Sequence, residues 1–262
     1  MKFDNIIYEE KNSLAKIVLN RPESGNTLDL KLAKELYEAS LKAFANQSIK
    51  ALILTGNGKL FCGGGDLKFL LSKKKDVKKT LLEMTMYLHG AISKMARMRA
   101  PIIVGVNGTA GGGGFSLAIT GDIIYAVKNA KFTLAYTNAG LSPDGSSTYY
   151  LPRILGIKRA KELMLTNRLF SAQEALDMGL IDLVLDTNEE LEEALKTQAE
   201  SFAKGPVNAY ASVKKLLNES FTNDLETQME KESIHISNNA QSKDGIEGLI
   251  AFSEKRKPIF DD

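Results

Sequence analysis

Short apolar runs alternate with longer segments of helical periodicity along the first two thirds of the chain. Ala51–Thr55, Ile102–Val106 and Asp122–Val127 are almost free of charge, which is typical of strands buried on both faces of a parallel sheet. Apolar residues recur at helical spacing in Asp29–Phe44 and in Val77–Met98. This alternation predicts an α/β fold with right-handed crossovers around a largely parallel sheet.

The two ends of the chain have different patterns. Strand-like runs at Ile6–Glu9 and Ala15–Asn20 open it, and the last third is mostly helical, with only Ile181–Leu185 strand-like. The predicted helices there are Lys158–Leu165, Ala172–Met178, Glu189–Ala203, Val207–Glu219 and Asp224–Asn239. We therefore predict a core domain over residues 1–185 and a helical C-terminal region over residues 186–262.

Composition narrows the class of protein. The 262 residues are 44% hydrophobic and 25% charged, which is enough apolar material for a substantial core. A formal net charge of +2 argues against a surface devoted to nucleic acid. The single cysteine, Cys62, excludes an internal disulfide and a thiolate metal cluster. With no leader and no apolar run near the ~20 residues of a membrane span, we expect a soluble, cytoplasmic protein.

Two glycine-rich loops are the main chemical signal. Gly111–Gly114 follows one predicted buried strand, and Gly63–Gly65 follows another. The first loop lacks the G-x-G-x-x-G spacing of a dinucleotide site, and Phe115-Ser116 stands where a P-loop needs lysine and a hydroxyl residue. Two interpretations remain: both runs are only tight turns, or backbone N–H groups of both loops face a developing oxyanion, with glycine allowing close approach.

The order of the motifs resembles the crotonase (enoyl-CoA hydratase/isomerase) superfamily. The motifs are L-N-R-P at Leu19–Pro22, F-C-G-G-G-D-L at Phe61–Leu67, A-P-I-I-V-G-V-N-G-T-A-G-G-G-G at Ala100–Gly114, G-D-I-I-Y-A at Gly121–Ala126, A-K-F at Ala130–Phe132, G-L-S-P-D-G-S-S-T-Y-Y-L-P-R at Gly140–Arg153 and E-A-L-D-M-G-L-I-D at Glu174–Asp182. The resemblance implies a ClpP/crotonase-like spiral of ββα units. It also implies an acyl-CoA thioester substrate, with coenzyme A entering as part of the substrate and no permanently bound cofactor or metal.

The resemblance also implies site residues. Gly65 and Gly113 match the two oxyanion donors. Ser116 and Tyr136 stand where family hydratases carry glutamates, so hydration by two carboxylates is not expected. Asp144 matches the proton-moving aspartate of double-bond isomerases, including the ring-1,2-epoxyphenylacetyl-CoA isomerase group. The leading hypothesis is an enoyl-CoA isomerase with Asp144 as proton shuttle and Tyr136 shaping the acyl pocket.

Three alternatives remain open. Asp144 also matches the nucleophile of 4-chlorobenzoyl-CoA dehalogenase, and His89 matches its base, which suggests covalent hydrolysis; a structural role for His89 is the competing interpretation. Asp144 alone could activate water in an unusual hydratase. Finally, the basic run Lys73–Lys79 resembles the lysine-rich helix of an RNA-binding crotonase homologue. Because this run contains no aromatic residues, a solvated helix face or attraction for coenzyme A phosphates is favoured.

Coenzyme A contacts and assembly follow from the resemblance alone. The residues expected to contact coenzyme A are Arg21, Gly63, Gly64, Asp66, Leu67, Phe252 and Lys255. Phe252 and Lys255 belong to the closing segment, which in the family often covers the site of a neighbouring subunit. The C-terminal helices are expected to form a homotrimer or a dimer of trimers. Cys62 is interpreted as a packing residue.

Overall fold

Two sheets and ten helices make up the protein in a computed structural model that describes residues 3–260. Residues 1–2 and 261–262, the outer limits of the two predicted regions, lie outside the described residues. The strands are β1 (Ile6–Lys11), β2 (Leu14–Leu19), β3 (Ala51–Gly56), β4 (Leu60–Cys62), β5 (Ile102–Val106), β6 (Thr109–Gly111), β7 (Ile123–Val127), β8 (Lys131–Thr133), β9 (Phe170–Ser171) and β10 (Leu183–Leu185).

The helices alternate with these strands and then dominate the end of the chain. They are α1 (Leu30–Ala45), α2 (Leu67–Ser72), α3 (Val77–Ala96), α4 (Gly113–Ala118), α5 (Ser147–Thr166), α6 (Ala172–Asp177), α7 (Asn188–Ala203), α8 (Val207–Glu219), α9 (Leu225–Gln241) and α10 (Lys243–Ser253). Helix α1 begins where sequence rules place it, because the Asp29 side chain accepts the Leu32 N–H as an N-cap.

The larger sheet has the strand order β1-β2-β3-β5-β7-β10. Only β1 and β2 pair antiparallel; the other neighbours are parallel. The predicted parallel sheet is therefore confirmed. Its central strands are buried along their length, as in β5, because helices cover the sheet.

Helix α7 packs directly on this sheet, although it follows residue 185. Leu191, Leu195 and Ala199 on α7 are buried in the core. A Cβ built on Gly105 of β5 would lie 2.4 Å from Leu195 Cδ1, so a larger residue at this position would require the Leu195 side chain to shift. The core thus includes one helix from the predicted region 186–262.

The smaller sheet was not predicted from the apolar pattern. Its order is β4-β6-β8-β9, and each strand has only two or three residues, too few for a recognisable periodicity. Strands β4 and β6 pair in parallel. The glycine loops that follow these strands consequently leave the sheet side by side.

Two helices differ from the sequence prediction. Helix α5 begins at Ser147 rather than Lys158, with Pro152 inside it and a kink at Gly156, where φ is 73°. These two residues are helix breakers, and they interrupt the helical periodicity between the two halves of α5. Helix α10 was not predicted, and Gly245 and Gly248 within it lower its helix propensity.

Candidate active site

A cavity of about 290 Å3 lies between the two glycine loops, helix α3 and the segment that joins β8 to α5. Gly65 and Gly113 line it from the two loops, and Tyr136 and Asp144 line it from the joining segment. The structure therefore brings together four of the five predicted catalytic residues around one space. The rest of the wall is mainly apolar.

Close contact between the two loops explains much of the glycine content. A Cβ built on Gly64, where φ is 98°, would lie 2.8 Å from the Gly111 carbonyl oxygen. A Cβ on Gly114 would lie only 2.3 Å from the Cys62 carbonyl oxygen. No larger residue fits these positions without moving backbone, because real Cβ atoms do not come so close to a carbonyl. The glycines thus pack one loop against the other.

The N–H groups of Gly65 and Gly113 are left available by the local structure. Leu28 pairs with the first loop through its N–H to the Gly64 carbonyl, 2.7 Å, and its carbonyl to the Asp66 N–H, 2.9 Å. In such a parallel bridge the central residue, Gly65, turns its own N–H away from Leu28. Gly113 is the first residue of α4, so its N–H has no partner within the helix.

Gly65 also has free space around it. A Cβ built there meets no other atom within 4 Å, whereas a Cβ on Gly113 would lie 3.0 Å from Leu28 Cδ1 and 3.8 Å from the Tyr136 hydroxyl. Oxyanion sites in acyl-transfer and enolisation chemistry are built from N–H donors of this kind beside a substrate cavity.

A hydrogen-bond chain links Asp144 to helix α4. The Tyr136 hydroxyl donates to Asp144 Oδ1 at 2.7 Å and lies 2.8 Å from Ser116 Oγ. Burial, followed by the negative charge of Asp144, raises the pKa of Tyr136, so its hydroxyl remains protonated and can donate. Among the described residues, Asp144 is the one carboxylate that lines the cavity.

His89 lies beside Asp144 but lines a neighbouring cavity of about 920 Å3. Its Nε2 accepts the Gly145 N–H at 3.2 Å and is 3.8 Å from Asp144 Oδ2. A nitrogen that accepts an N–H carries no proton, so this hydrogen bond assigns the neutral tautomer with the proton on Nδ1. In this state His89 holds the residue after Asp144 in place and makes no ion pair with the carboxylate.

The residues expected to contact coenzyme A fall into two groups. Gly63, Gly64 and Leu67 line the cavity. Arg21 and Asp66 instead form part of the loop framework: the Arg21 guanidinium pairs with Asp66 at 3.3 Å, and Asp66 Oδ1 also accepts the Phe69 N–H as the N-cap of α2. Both side chains are mostly buried, so their charges stabilise the loop that carries Gly65.

The C-terminal residues expected near coenzyme A lie on the surface of the single chain. Phe252, near the end of α10, is 87% exposed, and Lys255 follows the helix with φ of 55°. The basic run Lys73–Lys79 leads into helix α3: Lys73–Asp76 is the turn between α2 and α3, and the helix begins at Val77 as predicted.

The apolar wall of the cavity was missed by the sequence reasoning. Leu81, Met84 and Leu88 of α3 line it, together with Leu28 and Leu70. The spacing of the three α3 residues places them on one helical face. Periodicity could identify that face as buried. It could not show whether the face packs against the core or lines a cavity.

Two searches for other kinds of site gave negative results. Within residues 3–260, no group of three or more His, Cys, Asp or Glu side chains is arranged to hold a metal ion. No helix in this part of the chain has both the length and the apolar composition needed to cross a bilayer.

Comparisons with known proteins agree with the fold. Residues 9–262 match the family model described as enoyl-CoA hydratase/isomerase. The chain is 36% identical to "Probable enoyl-CoA hydratase" of Rhodobacter capsulatus, covering 99% of both chains, and 32% identical to 1,2-epoxyphenylacetyl-CoA isomerase of Escherichia coli, covering 97% of both. It is 30% identical to 4-chlorobenzoyl coenzyme A dehalogenase-2 of an Arthrobacter species, over 87% of this chain and 83% of that protein.

A solved structure with the same fold is also similar in sequence. The enoyl-CoA hydratase of a Polaromonas species superposes with a TM-score of 0.91 at 34% identity, covering 98% of this chain and 99% of that chain. The crotonase fold and the resemblance drawn from the motifs are therefore confirmed. On the strength of the family match and these relatives, the chain belongs to the enoyl-CoA hydratase/isomerase family, whose members are enzymes that act on acyl-CoA thioesters.

Proposed function

We propose that the protein is an enoyl-CoA isomerase that moves a carbon–carbon double bond by means of one carboxylate. The observation that carries this proposal is the set of side chains around the cavity. Asp144 is the one carboxylate among the described lining residues, whereas Tyr136 carries a hydroxyl beside it and Ser116 lies behind Tyr136. One base can support a double-bond shift, whereas the family's usual hydration uses two carboxylates.

The proposed reaction takes a 3-enoyl thioester to its conjugated 2-enoyl isomer. Ionised Asp144 removes a proton from the carbon next to the thioester, and the electron pair of that C–H bond passes through the carbonyl to its oxygen. The N–H groups of Gly65 and Gly113 stabilise the resulting oxyanion. Collapse of this dienolate returns electrons to the carbon chain, and Asp144 gives its proton back two carbons further on. The carboxylate is regenerated, and no water is consumed.

The cavity wall supports an apolar acyl group. The part of the cavity wall that α2 and α3 form is largely aliphatic and includes Leu70, Leu81 and Met84. A second apolar groove of about 340 Å3 shares Leu70, Leu81 and Leu141 with the cavity and opens beside it. A negatively charged acyl tail would lose its hydration in the cavity without gaining a partner, because no lysine or arginine is among the described residues that line it. We therefore infer that uncharged, mainly aliphatic or aromatic acyl groups are the substrates.

The test is Asp144→Asn assayed with 3-hexenoyl-CoA, following formation of the conjugated 2-enoyl thioester. Loss of a general acid–base group typically reduces the rate ~10²- to 10⁴-fold, so a fall in that range is expected. Asp177→Asn, at an exposed carboxylate on α6, is the matched control and should retain full activity. Retention of activity within a few-fold in Asp144→Asn would refute the isomerase assignment.

Two other reactions are tested in parallel with their own substrates. Consumption of 2-enoyl-CoA with formation of a 3-hydroxyacyl product would instead support hydration. Halide release from 4-chlorobenzoyl-CoA would support covalent hydrolysis, which the dehalogenase relative and the 3.8 Å approach of His89 to Asp144 keep in consideration. The bond between Gly145 N–H and His89 Nε2 argues against this second reaction, because it occupies the nitrogen that would act as base.

A further inference from the structure

Ser116 is a buried hydroxyl that the proposed reaction does not use directly. It is fully buried in helix α4, the helix that begins at Gly113. Its Oγ lies 2.8 Å from the Tyr136 hydroxyl, which in turn donates to Asp144 Oδ1 at 2.7 Å. Ser116 thus connects the helix that carries one oxyanion donor to the proposed base.

The direction of this chain follows from the number of protons available. The Tyr136 hydroxyl has one proton, and the geometry gives it to Asp144. The short contact with Ser116 therefore requires the serine hydroxyl to donate and the tyrosine oxygen to accept. The other acceptor near Ser116 Oγ is the Gly112 carbonyl, at the longer distance of 3.4 Å. Two hydrogen bonds in the same direction strengthen each other through polarisation.

Packing adds a second constraint at the same place. A Cβ built on Gly145, where φ is 59°, would lie 2.8 Å from Ser116 Cβ, so the backbone that follows Asp144 rests on this serine. His89 holds the same glycine through its N–H. The Asp144 segment is therefore fixed by a hydrogen bond at the carboxylate, one at the next backbone N–H and direct contact with α4.

We propose that Ser116 is a positioning residue for the isomerisation: it orients the Tyr136 hydroxyl, which holds the Asp144 carboxylate at a fixed place relative to the Gly113 oxyanion donor. This inference rests on the proposed function. Its physical basis is that a base and an oxyanion donor must both be aligned with one substrate, and small displacements of either reduce the rate sharply. The chain through Tyr136 attaches the base to the same helix as the donor.

The place of Tyr136 in the hydrogen-bond chain also limits its role in proton transfer. Because burial raises the pKa of Tyr136, its hydroxyl is a poor proton carrier and acts as a donor to the ionised carboxylate. Asp144 Oδ2 is not the acceptor of the Tyr136 bond and remains the oxygen that takes and returns the substrate proton. Ser116 acts through Tyr136 and does not contact the substrate.

A double-mutant cycle with Ser116→Ala and Tyr136→Phe tests the proposal. Ser116→Ala should lower kcat for 3-hexenoyl-CoA about 3- to 10-fold with KM nearly unchanged, the effect of losing one neutral hydrogen bond in the transition state. Tyr136→Phe should lower kcat more, about 10- to 100-fold, since its bond to the carboxylate is charge-assisted. In the Tyr136→Phe background, Ser116→Ala should cause no further loss, because the atom it orients is gone.

Two controls separate positioning from a general effect on stability. Thr120→Val removes another buried hydroxyl just after α4, one that bonds the Leu117 carbonyl at 2.7 Å, and it should leave kcat unchanged. All variants are compared by thermal unfolding, and rates are measured well below the unfolding range.

The outcomes distinguish this inference from the proposed function. Equal losses from Ser116→Ala in both backgrounds, or no loss in the parent protein, would overturn the positioning role and leave the isomerase assignment standing. Absence of Asp144-dependent isomerisation in the parent protein would overturn both. A fall in kcat from Ser116→Ala in the parent background but not in Tyr136→Phe, with unchanged KM, supports the positioning role.

Discussion

Substitution of Gly65 by alanine separates folding from catalysis in this protein. The added methyl group meets no atom within 4 Å, and Gly65 has no left-handed backbone angle. We therefore expect the free energy of unfolding to change by less than about 1 kcal/mol, with any gain coming from reduced freedom of the unfolded chain. The neighbouring Gly64→Ala is different, because its φ is 98° and its Cβ would lie 2.8 Å from the Gly111 carbonyl oxygen.

The catalytic effect of Gly65→Ala should nevertheless be large. The methyl group would project beside the N–H that we assign to the thioester oxygen, and displacement of the carbonyl by about 1 Å is enough to cost ~10²-fold in rate. We expect kcat/KM for 3-hexenoyl-CoA to fall by about that factor while the melting temperature is retained. Gly248→Ala, in α10 away from the cavity, is the matched control and should keep full activity.

One result would refute this reasoning. If Gly65→Ala folds normally and keeps its activity within threefold, the methyl group does not displace the thioester carbonyl, and the predicted steric effect is refuted. The backbone N–H itself is retained in alanine and is not removed by this variant. A variant that unfolds would contradict the free space observed around Gly65.

Two further predictions concern buried groups. Burial raises the pKa of the Cys62 thiol to about 12, so the folded protein should react with Ellman's reagent at pH 8 only as fast as it unfolds. In the unfolded chain the same thiol ionises near the ordinary ~8.5. The free energy of unfolding should therefore fall as pH rises above that value. Lys214→Ala should lower the free energy of unfolding by about 2 kcal/mol, measured by urea denaturation, because it removes hydrogen bonds of a charged group: the buried ammonium pairs with Asp122 at 2.6 Å and donates to the Ala100 carbonyl. Lys215→Ala, at the exposed neighbour, should change it little, and equal losses in the two variants would contradict this account.

Element positions were predictable wherever the local pattern was long and regular. The bounds of β5 and α8 were predicted correctly, and α1 and α3 were predicted to within a few residues at each end. Prediction failed where the signal was short or interrupted. The strands of the smaller sheet have two or three residues, and α5 contains Pro152 and the kink at Gly156. Such elements exist because tertiary packing supports them, so local sequence carries little trace of them.

The candidate site was predictable to a similar extent. Motif order identified Gly65, Gly113, Tyr136 and Asp144, and all four line the same cavity. What motifs could not supply was how these residues are connected. At Ser116 the motifs indicate only the absence of a carboxylate. Its hydrogen bond to Tyr136 depends on contact between residues 20 positions apart in the chain.

By itself, the sequence determined the alternation of strands and helices, the buried sheet, the two glycine loops and the absence of glutamate at residues 116 and 136. These features depend on hydrophobic periodicity and residue type, which are properties of short segments of the sequence. Only the tertiary structure decided that the Arg21 charge supports Asp66, that His89 accepts the Gly145 N–H, and that Asp144 is tied through Tyr136 to helix α4. The physical reason is that a hydrogen bond depends on distances of tenths of an ångström between residues far apart in the chain, and such distances are set by packing.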